Sequence, residues 1–154
     1  MVEEATIAGV AFCSLKARYD DRGYFMELIK PPFIDGFDIQ QSSITMTYPG
    51  IIKAFHWHGY QTDVWFALSG YARCVLYDLR SESSTCKRVQ TVYMNGAEHK
   101  LLVIPPRVAH GYQVLGDTPF QLLYFTNKIY DSSCPDEGRI TFDSIGYDWE
   151  VRNR

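Results

Sequence analysis

The sequence predicts an all-β chain folded as a single sandwich or barrel, and three observations carry this. Short apolar or alternating runs recur along all 154 residues. Clusters of turn residues separate them. No segment sustains a helical period for more than a few turns. Composition agrees, because aromatic residues make up 15% of the chain and favour strands. Residues 1–154 suffice for one domain with its own core.

The runs, in order, are Thr6–Phe12, Tyr24–Ile29, Ile51–His56, Val64–Leu68, Ala72–Tyr77, Val89–Met94, Leu101–Ile104, Gly111–Leu115, Phe120–Thr126 and Arg139–Phe142. Each apolar alternation places one face of a strand against a core. The breaks between them hold turn formers such as Asp21-Arg22-Gly23, Tyr48-Pro49-Gly50, Ser69-Gly70, Asn95-Gly96 and Gly116-Asp117. Leu79–Ser84 is the one stretch read as a short helix.

Charge and processing signals narrow the function classes. A net charge of −3 carries no basic footprint for nucleic acid. No run approaches the roughly 18 apolar residues of a membrane span. The start, Met1-Val2-Glu3-Glu4, is acidic where an export signal is basic. Cys13, Cys74, Cys86 and Cys134 form no close pair, so free thiols and a cytoplasmic location are expected.

The four histidines carry the chemistry. His56 and His58 stand two apart on an expected strand, so their imidazoles project from one face. Asp63 follows just past a turn, and His110 lies far along the chain after Pro105-Pro106. His99, between Glu98 and Lys100, is read as a solvated residue.

Spacing now supports a resemblance. Gly50, five residues, His56-x-His58, four residues, Asp63, six residues and Gly70 resemble the first motif of the cupin superfamily, with aspartate where glutamate is usual. Pro105-x-Arg107-x-x-His110 resembles the second, with Arg107 where glycine is usual. The resemblance implies a jelly-roll β-barrel in which His56, His58, Asp63 and His110 could hold one divalent metal ion.

A narrower resemblance spans Phe12 to Trp149. Asp21 to Glu27, Gln41-Ser42-Ser43, Lys53 to His56, Asp78-x-Arg80-x-x-Ser83-x-Thr85, Pro105 to Tyr112, Tyr124 to Tyr130 and Asp143 to Trp149 are similar, in order and spacing, to stretches of the dTDP-4-dehydrorhamnose 3,5-epimerase family. This implies an isomerase acting on a nucleoside-diphosphate 4-keto-6-deoxy sugar in surface polysaccharide or deoxysugar biosynthesis. It implies a homodimer with no bound cofactor. By position, His56 matches the base, Tyr124 the acid and Lys53 an arginine close to the substrate. Arg22, Phe25, Glu27 and Gln41 match nucleotide-holding residues, some presented by the partner subunit. His110 and Tyr130 match pocket residues.

Two departures open alternatives. Asp63 stands where the family has an enolate-stabilising lysine, and His58 where it has glutamine. The family's late aspartate, which orients the base, has no counterpart up to Arg154. In the preferred scheme Lys53 or Arg107 supplies positive charge and no metal is needed. In the other, a divalent cation on His58, Asp63 and His110, with or without His56, supplies it. A metal-dependent cupin such as a dioxygenase, or a silent sugar-nucleotide-binding module, are the further alternatives.

Overall fold

The computed structural model describes residues 2–4, 6–30, 33–34 and 37–152. Thirteen strands are present among them: β1 (Val2–Glu4), β2 (Ala11–Ser14), β3 (Arg18–Asp20), β4 (Gly23–Phe25), β5 (Gln41–Thr47), β6 (Ile52–Trp57), β7 (Asp63–Ser69), β8 (Tyr71–Asp78), β9 (Val89–Asn95), β10 (Lys100–Ile104), β11 (Val108–Leu115), β12 (Phe120–Thr126) and β13 (Gly138–Arg139). One sheet runs β1-β2-β10-β7-β12-β5 and the other β13-β6-β11-β8-β9, while β3 and β4 form a separate hairpin. All pairings are antiparallel. The two sheets enclose a jelly-roll core, as the cupin resemblance implies.

Alternation along each strand decides which side chains enter that core. Val108, Tyr112 and Val114 of β11 meet Trp65 and Ala67 of β7 and Phe120 and Leu122 of β12 between the sheets. The other faces are also covered. Val64, Phe66, Leu101 and Val103 pack under Met26, Leu28, Ile29, Phe33, Ile34 and Phe37. Phe55, Val75 and Ala109 pack under Ile140, Ile145, Tyr147 and Trp149. Strands buried on both faces read as continuous apolar runs, which is why Val64–Leu68 and Leu101–Ile104 are plain in the sequence. Gly70, at the turn from β7 to β8, has φ +77, and a side chain there would overlap the Pro119 carbonyl. Only glycine meets both demands.

Several local expectations change. β5 is a full strand that hydrophobic alternation does not reveal. Its polar residues Gln41, Ser43, Thr45 and Thr47 turn inward, while Ile44 and Met46 are exposed. Among the described residues there is no helix, and the expected helix over Leu79–Ser84 is a series of turns. The cause is Asp78, which is fully buried. Its carboxylate accepts bonds from the Arg80 backbone N–H, Arg80 Nε and Nη2, Ser83 Oγ and Thr85 Oγ1, at 2.6–3.0 Å. These local side-chain bonds compete with helical ones. Burial alone would raise the Asp78 carboxyl, but bonds from Arg80, Thr85 and Ser83 outweigh it and hold it well below the usual carboxylate range. His99 is half-buried rather than solvated, with the Tyr19 and Tyr24 rings against it at 6.4 and 5.2 Å. The four cysteines are free, as expected.

Candidate active site

The site begins with a flaw in one ladder. His110 of β11 pairs with His56 of β6, and Tyr112 pairs with Lys53, so two residues of β11 span three of β6. Strict alternation would send Lys53 and His56 to opposite faces. The extra residue re-aims the strand, as β-bulges do. Both side chains now line one pocket of about 180 Å³ with Asp63, Trp65 and Tyr124. At the bulge, a side chain on Gly111 would overlap Ala54.

His58 and His110 are fixed by backbone carbonyls. His58 Nδ1–H donates to the Asp136 carbonyl at 2.5 Å, and His110 Nδ1–H donates to the Val108 carbonyl at 2.9 Å. A carbonyl only accepts, so in each neutral ring Nε2 carries the lone pair. His110 Nε2 is buried, has no hydrogen-bond partner among the described residues, and lies 3.5 Å from Asp63 Oδ2. His58 Nε2 lies 3.8 Å from Asp63 Oδ1. Asp63 is itself buried and accepts bonds from Gln61 Nε2 at 2.7 Å and Trp65 Nε1 at 3.3 Å. His56 completes the group, its ring 4.4 Å from that of His110 and 5.5 Å from that of His58.

Burial keeps His56 and His110 uncharged. Desolvation, then the neighbouring His110, push His56 down to about 3, with Asp63 opposing. Desolvation pushes His110 down to about 3 against the bond to Val108, and His58 adds to the fall. Both rings are therefore neutral at pH 7, free to accept a proton or ligate a metal.

Above the cluster opens a cavity of about 630 Å³. His56 reaches it from β6 of the five-stranded sheet, His58 from just past the end of that strand, and Tyr124 from β12 in the opposite sheet. Gln41 and Tyr130 also line it, and the Tyr130 backbone N–H donates to Gln41 Oε1 at 2.9 Å. Lys53 is exposed and lines the smaller pocket, its Nζ donating to Thr45 Oγ1 at 3.1 Å. Arg22, Phe25 and Glu27 do not line the cavity of their own chain. They belong to the β3–β4 hairpin and the segment after it, where Phe25 is 63% exposed and Arg22 pairs with Asp20 at 2.6 Å.

Sequence reasoning missed Asp136. Besides its carbonyl bond to His58, its carboxylate accepts the backbone N–H groups of Gly59, Tyr60 and Gln61 at 2.7–3.0 Å. Burial would raise this carboxyl, but those three bonds outweigh it and lower it. Asp136 thus fixes the turn between β6 and β7 that presents Gln61 to Asp63. It stands in an irregular run, Cys134-Pro135-Asp136-Glu137, with no periodicity to flag it. Arg107 shows why glycine suits its position. Its φ is 62, and its N–H donates to the His58 carbonyl at 2.7 Å.

Residues 4–154 match the sequence model of the dTDP-4-dehydrorhamnose 3,5-epimerase family. The chain belongs to this family. Among its relatives, the spore coat polysaccharide biosynthesis protein SpsL of Bacillus subtilis is 44% identical over 152 residues, 96% of this chain and 99% of that protein. A probable low-salt glycan biosynthesis epimerase of Haloferax volcanii is 32% identical over 89% of this chain and 90% of its own length. The crystal structure of dTDP-4-dehydrorhamnose 3,5-epimerase from Sulfolobus tokodaii superposes with a TM-score of 0.84 at 26% identity, covering 98% of this chain and 87% of that one. Within this epimerase-family chain, the Asp78-x-Arg80-x-x-Ser83-x-Thr85 motif is the buried network that replaces the expected helix. Its turns brace the site, since the Leu79 N–H donates to the carbonyl of Arg107, whose own N–H holds His58.

Proposed function

We propose that the chain epimerises the carbon at position 3, position 5 or both of a nucleoside-diphosphate 4-keto-6-deoxy sugar. The product would enter surface polysaccharide or a deoxysugar-bearing compound, a setting supported by the names of the two relatives above. The observation that carries the reading is that His56 and Tyr124 enter one cavity from opposite sheets. A sugar ring between them meets a base on one face and an acid on the other.

The step follows from that placement. Neutral His56 takes the proton from the carbon beside the keto group, and the electron pair moves to the C4 oxygen as an enolate. Asp63 favours the imidazolium once it forms. Tyr124 gives its hydroxyl proton to the same carbon from the other face, and the carbonyl re-forms with inverted configuration. Solvent then restores the proton on Tyr124 and removes the one on His56. Lys53, which lines the smaller pocket together with His56 and Tyr124, would supply positive charge to the developing enolate. Gln41, His110 and Tyr130 shape the sugar end.

The nucleotide end draws on a second copy of the chain. The large cavity is lined by Asp63, Asp131, Asp136 and Glu137 against Lys128. That balance disfavours a diphosphate unless cations are added. Arg22, with Phe25 and Glu27 beside it, projects from the exposed hairpin and would supply charge and stacking to the partner subunit's cavity in a homodimer. Exposed Ile44 and Met46 on edge strand β5 offer the apolar surface such a dimer would cover. The four free cysteines support a reducing, cytoplasmic setting.

The test is solvent exchange. Incubated in D2O with a panel of 4-keto-6-deoxy sugar nucleotides, the protein incorporates deuterium at carbon 3 or 5 of at least one, and His56→Ala abolishes it. Binding of these nucleotides without exchange would overturn the reading in favour of a silent binding module.

A further inference from the structure

We propose that Thr45, Tyr112 and Thr47 are positioning residues, a chain of hydroxyls that holds the Lys53 ammonium in the pocket where the sugar's enolate forms. The inference rests on the epimerase reading of that pocket and assigns what aims its cation.

The chain follows from the register of the strands. Tyr112 of β11 pairs with Lys53 of β6, and directly paired residues project from the same face of a sheet. That face is the inner one, because Tyr112 is 4% exposed and its ring packs on Trp65 and Phe120. Thr45 and Thr47 stand two apart on β5, so both reach inward from the opposite sheet. The Tyr112 hydroxyl and Thr47 Oγ1 lie 2.8 Å apart, and Lys53 Nζ donates to Thr45 Oγ1 at 3.1 Å. Burial raises the Tyr112 phenol above its ordinary value, with the Thr47 and Thr45 hydroxyls beside it opposing the rise, so it stays protonated at pH 7. Thr45 therefore faces both the phenol and the ammonium. An ammonium only donates, which leaves the Thr45 proton for the phenol oxygen and the phenol proton for Thr47.

A buried tyrosine hydroxyl needs a partner, and Thr47 already provides one. Thr45 adds a tie to an exposed lysine. Lysine is a point charge on a flexible stem. The Asp63 carboxylate lines the same pocket and attracts it. Yet Asp63 has His58 and His110 within 4.0 Å and, among the described residues, no lysine. Tied to Thr45, the ammonium keeps its charge unneutralised and the rest of its N–H donors for the pocket. His56 and Tyr124 line that pocket too, so the charge stands beside the base and the acid. The inward polar residues of β5 thus serve the site, where an ordinary strand would turn apolar side chains to the core.

The experiment uses the full chain and the 4-keto-6-deoxy sugar nucleotide on which the wild type exchanges deuterium. It measures exchange, kcat and KM, and circular dichroism confirms the fold of each variant. Lys53→Met lowers kcat about 100-fold, the usual weight of a group that stabilises an oxyanion. The near-isosteric Thr45→Val lowers kcat about tenfold by misplacing the ammonium, with KM held within about threefold. Thr45→Ser, which keeps the hydroxyl, recovers most of that loss. Tyr112→Phe keeps the ring and lowers kcat by a smaller factor. In a Lys53→Met background neither Thr45→Val nor Tyr112→Phe lowers kcat further, because both act through the ammonium. Losses in that background equal to those in the wild type overturn the proposal, as do an unchanged kcat in folded Thr45→Val or Lys53→Met, or a loss carried by KM alone. Any of these results with wild-type exchange intact refutes the positioning chain alone. Absence of wild-type exchange on every sugar nucleotide of the panel refutes the epimerase reading, and the inference with it.

Discussion

Replacing Asp78 by asparagine keeps the shape of a fully buried side chain and removes its charge. The carboxylate accepts three bonds from Arg80 and one each from Ser83 and Thr85. Asparagine presents one acceptor oxygen and one NH2 group. The hydroxyls of Ser83 and Thr85 can rotate to accept from that NH2, but the guanidinium of Arg80 cannot. At least one charge-assisted bond is therefore lost, worth about 1.5–3 kcal/mol. Breaking a buried pair costs about 3–5 kcal/mol. Arg80 keeps 18% of its side chain exposed and can be partly hydrated, which places the expected loss near the lower bound, about 3 kcal/mol. For a chain of this length that lowers Tm by roughly 6–12 °C. The pH dependence has a definite sign. The folded carboxyl is depressed relative to an unfolded value of about 3.9. Its contribution is therefore fully present above that value and lost as pH falls through the folded one. Urea unfolding of wild type and variant, followed by tryptophan fluorescence, should show a constant gap from pH 7 to about 5 that narrows below about 4. A gap under about 0.5 kcal/mol at pH 7, or one that widens on acidification, would refute the reasoning.

Three other predictions concern the site. Tyr124→Phe should lower net epimerisation about 100-fold or more, the usual weight of a general acid, while loss of the substrate proton is slowed less; equal effects on both, read by deuterium wash-in against product formation, would remove Tyr124 from the acid role. Phe25→Ala should leave stability within about 0.5 kcal/mol, because the ring is 63% exposed, yet raise KM roughly tenfold if it stacks on a base in the partner subunit's cavity. An unchanged KM counts against the shared site. Arg107→Val should destabilise by roughly 1–3 kcal/mol, since a β-branched residue suits a φ of 62 poorly, whereas Arg107→Gly should not. Equal thermal stability of the two variants would show that this backbone conformation carries no strain.

The chain's own residues fixed a good deal. Doubly buried strands such as β7 and β10 announce themselves as apolar runs, because each side chain meets a core. His56, His58, Asp63 and His110 were legible as one constellation, since the spacing of a strand and its turn survives in the linear order. Other features were hidden. β5 turns polar residues inward and apolar ones outward, which inverts the pattern that reveals a strand. Asp136 acts through its carbonyl on His58 and through its carboxylate on three backbone N–H groups of a turn far earlier in the chain, so no local pattern marks it.

By itself, then, the sequence determined an all-β fold, the family and the residues that could do the chemistry, because periodicity and side-chain identity are local properties. Only the tertiary structure decided their arrangement. The bulge turned Lys53 to the same side as His56, and backbone carbonyls 78 residues away from His58 and two from His110 chose the tautomers that aim both Nε2 atoms at Asp63. The hairpin carrying Arg22 and Phe25 was set outside its own cavity. Such outcomes depend on which distant backbone atoms come to lie beside a side chain, and folding alone brings them there.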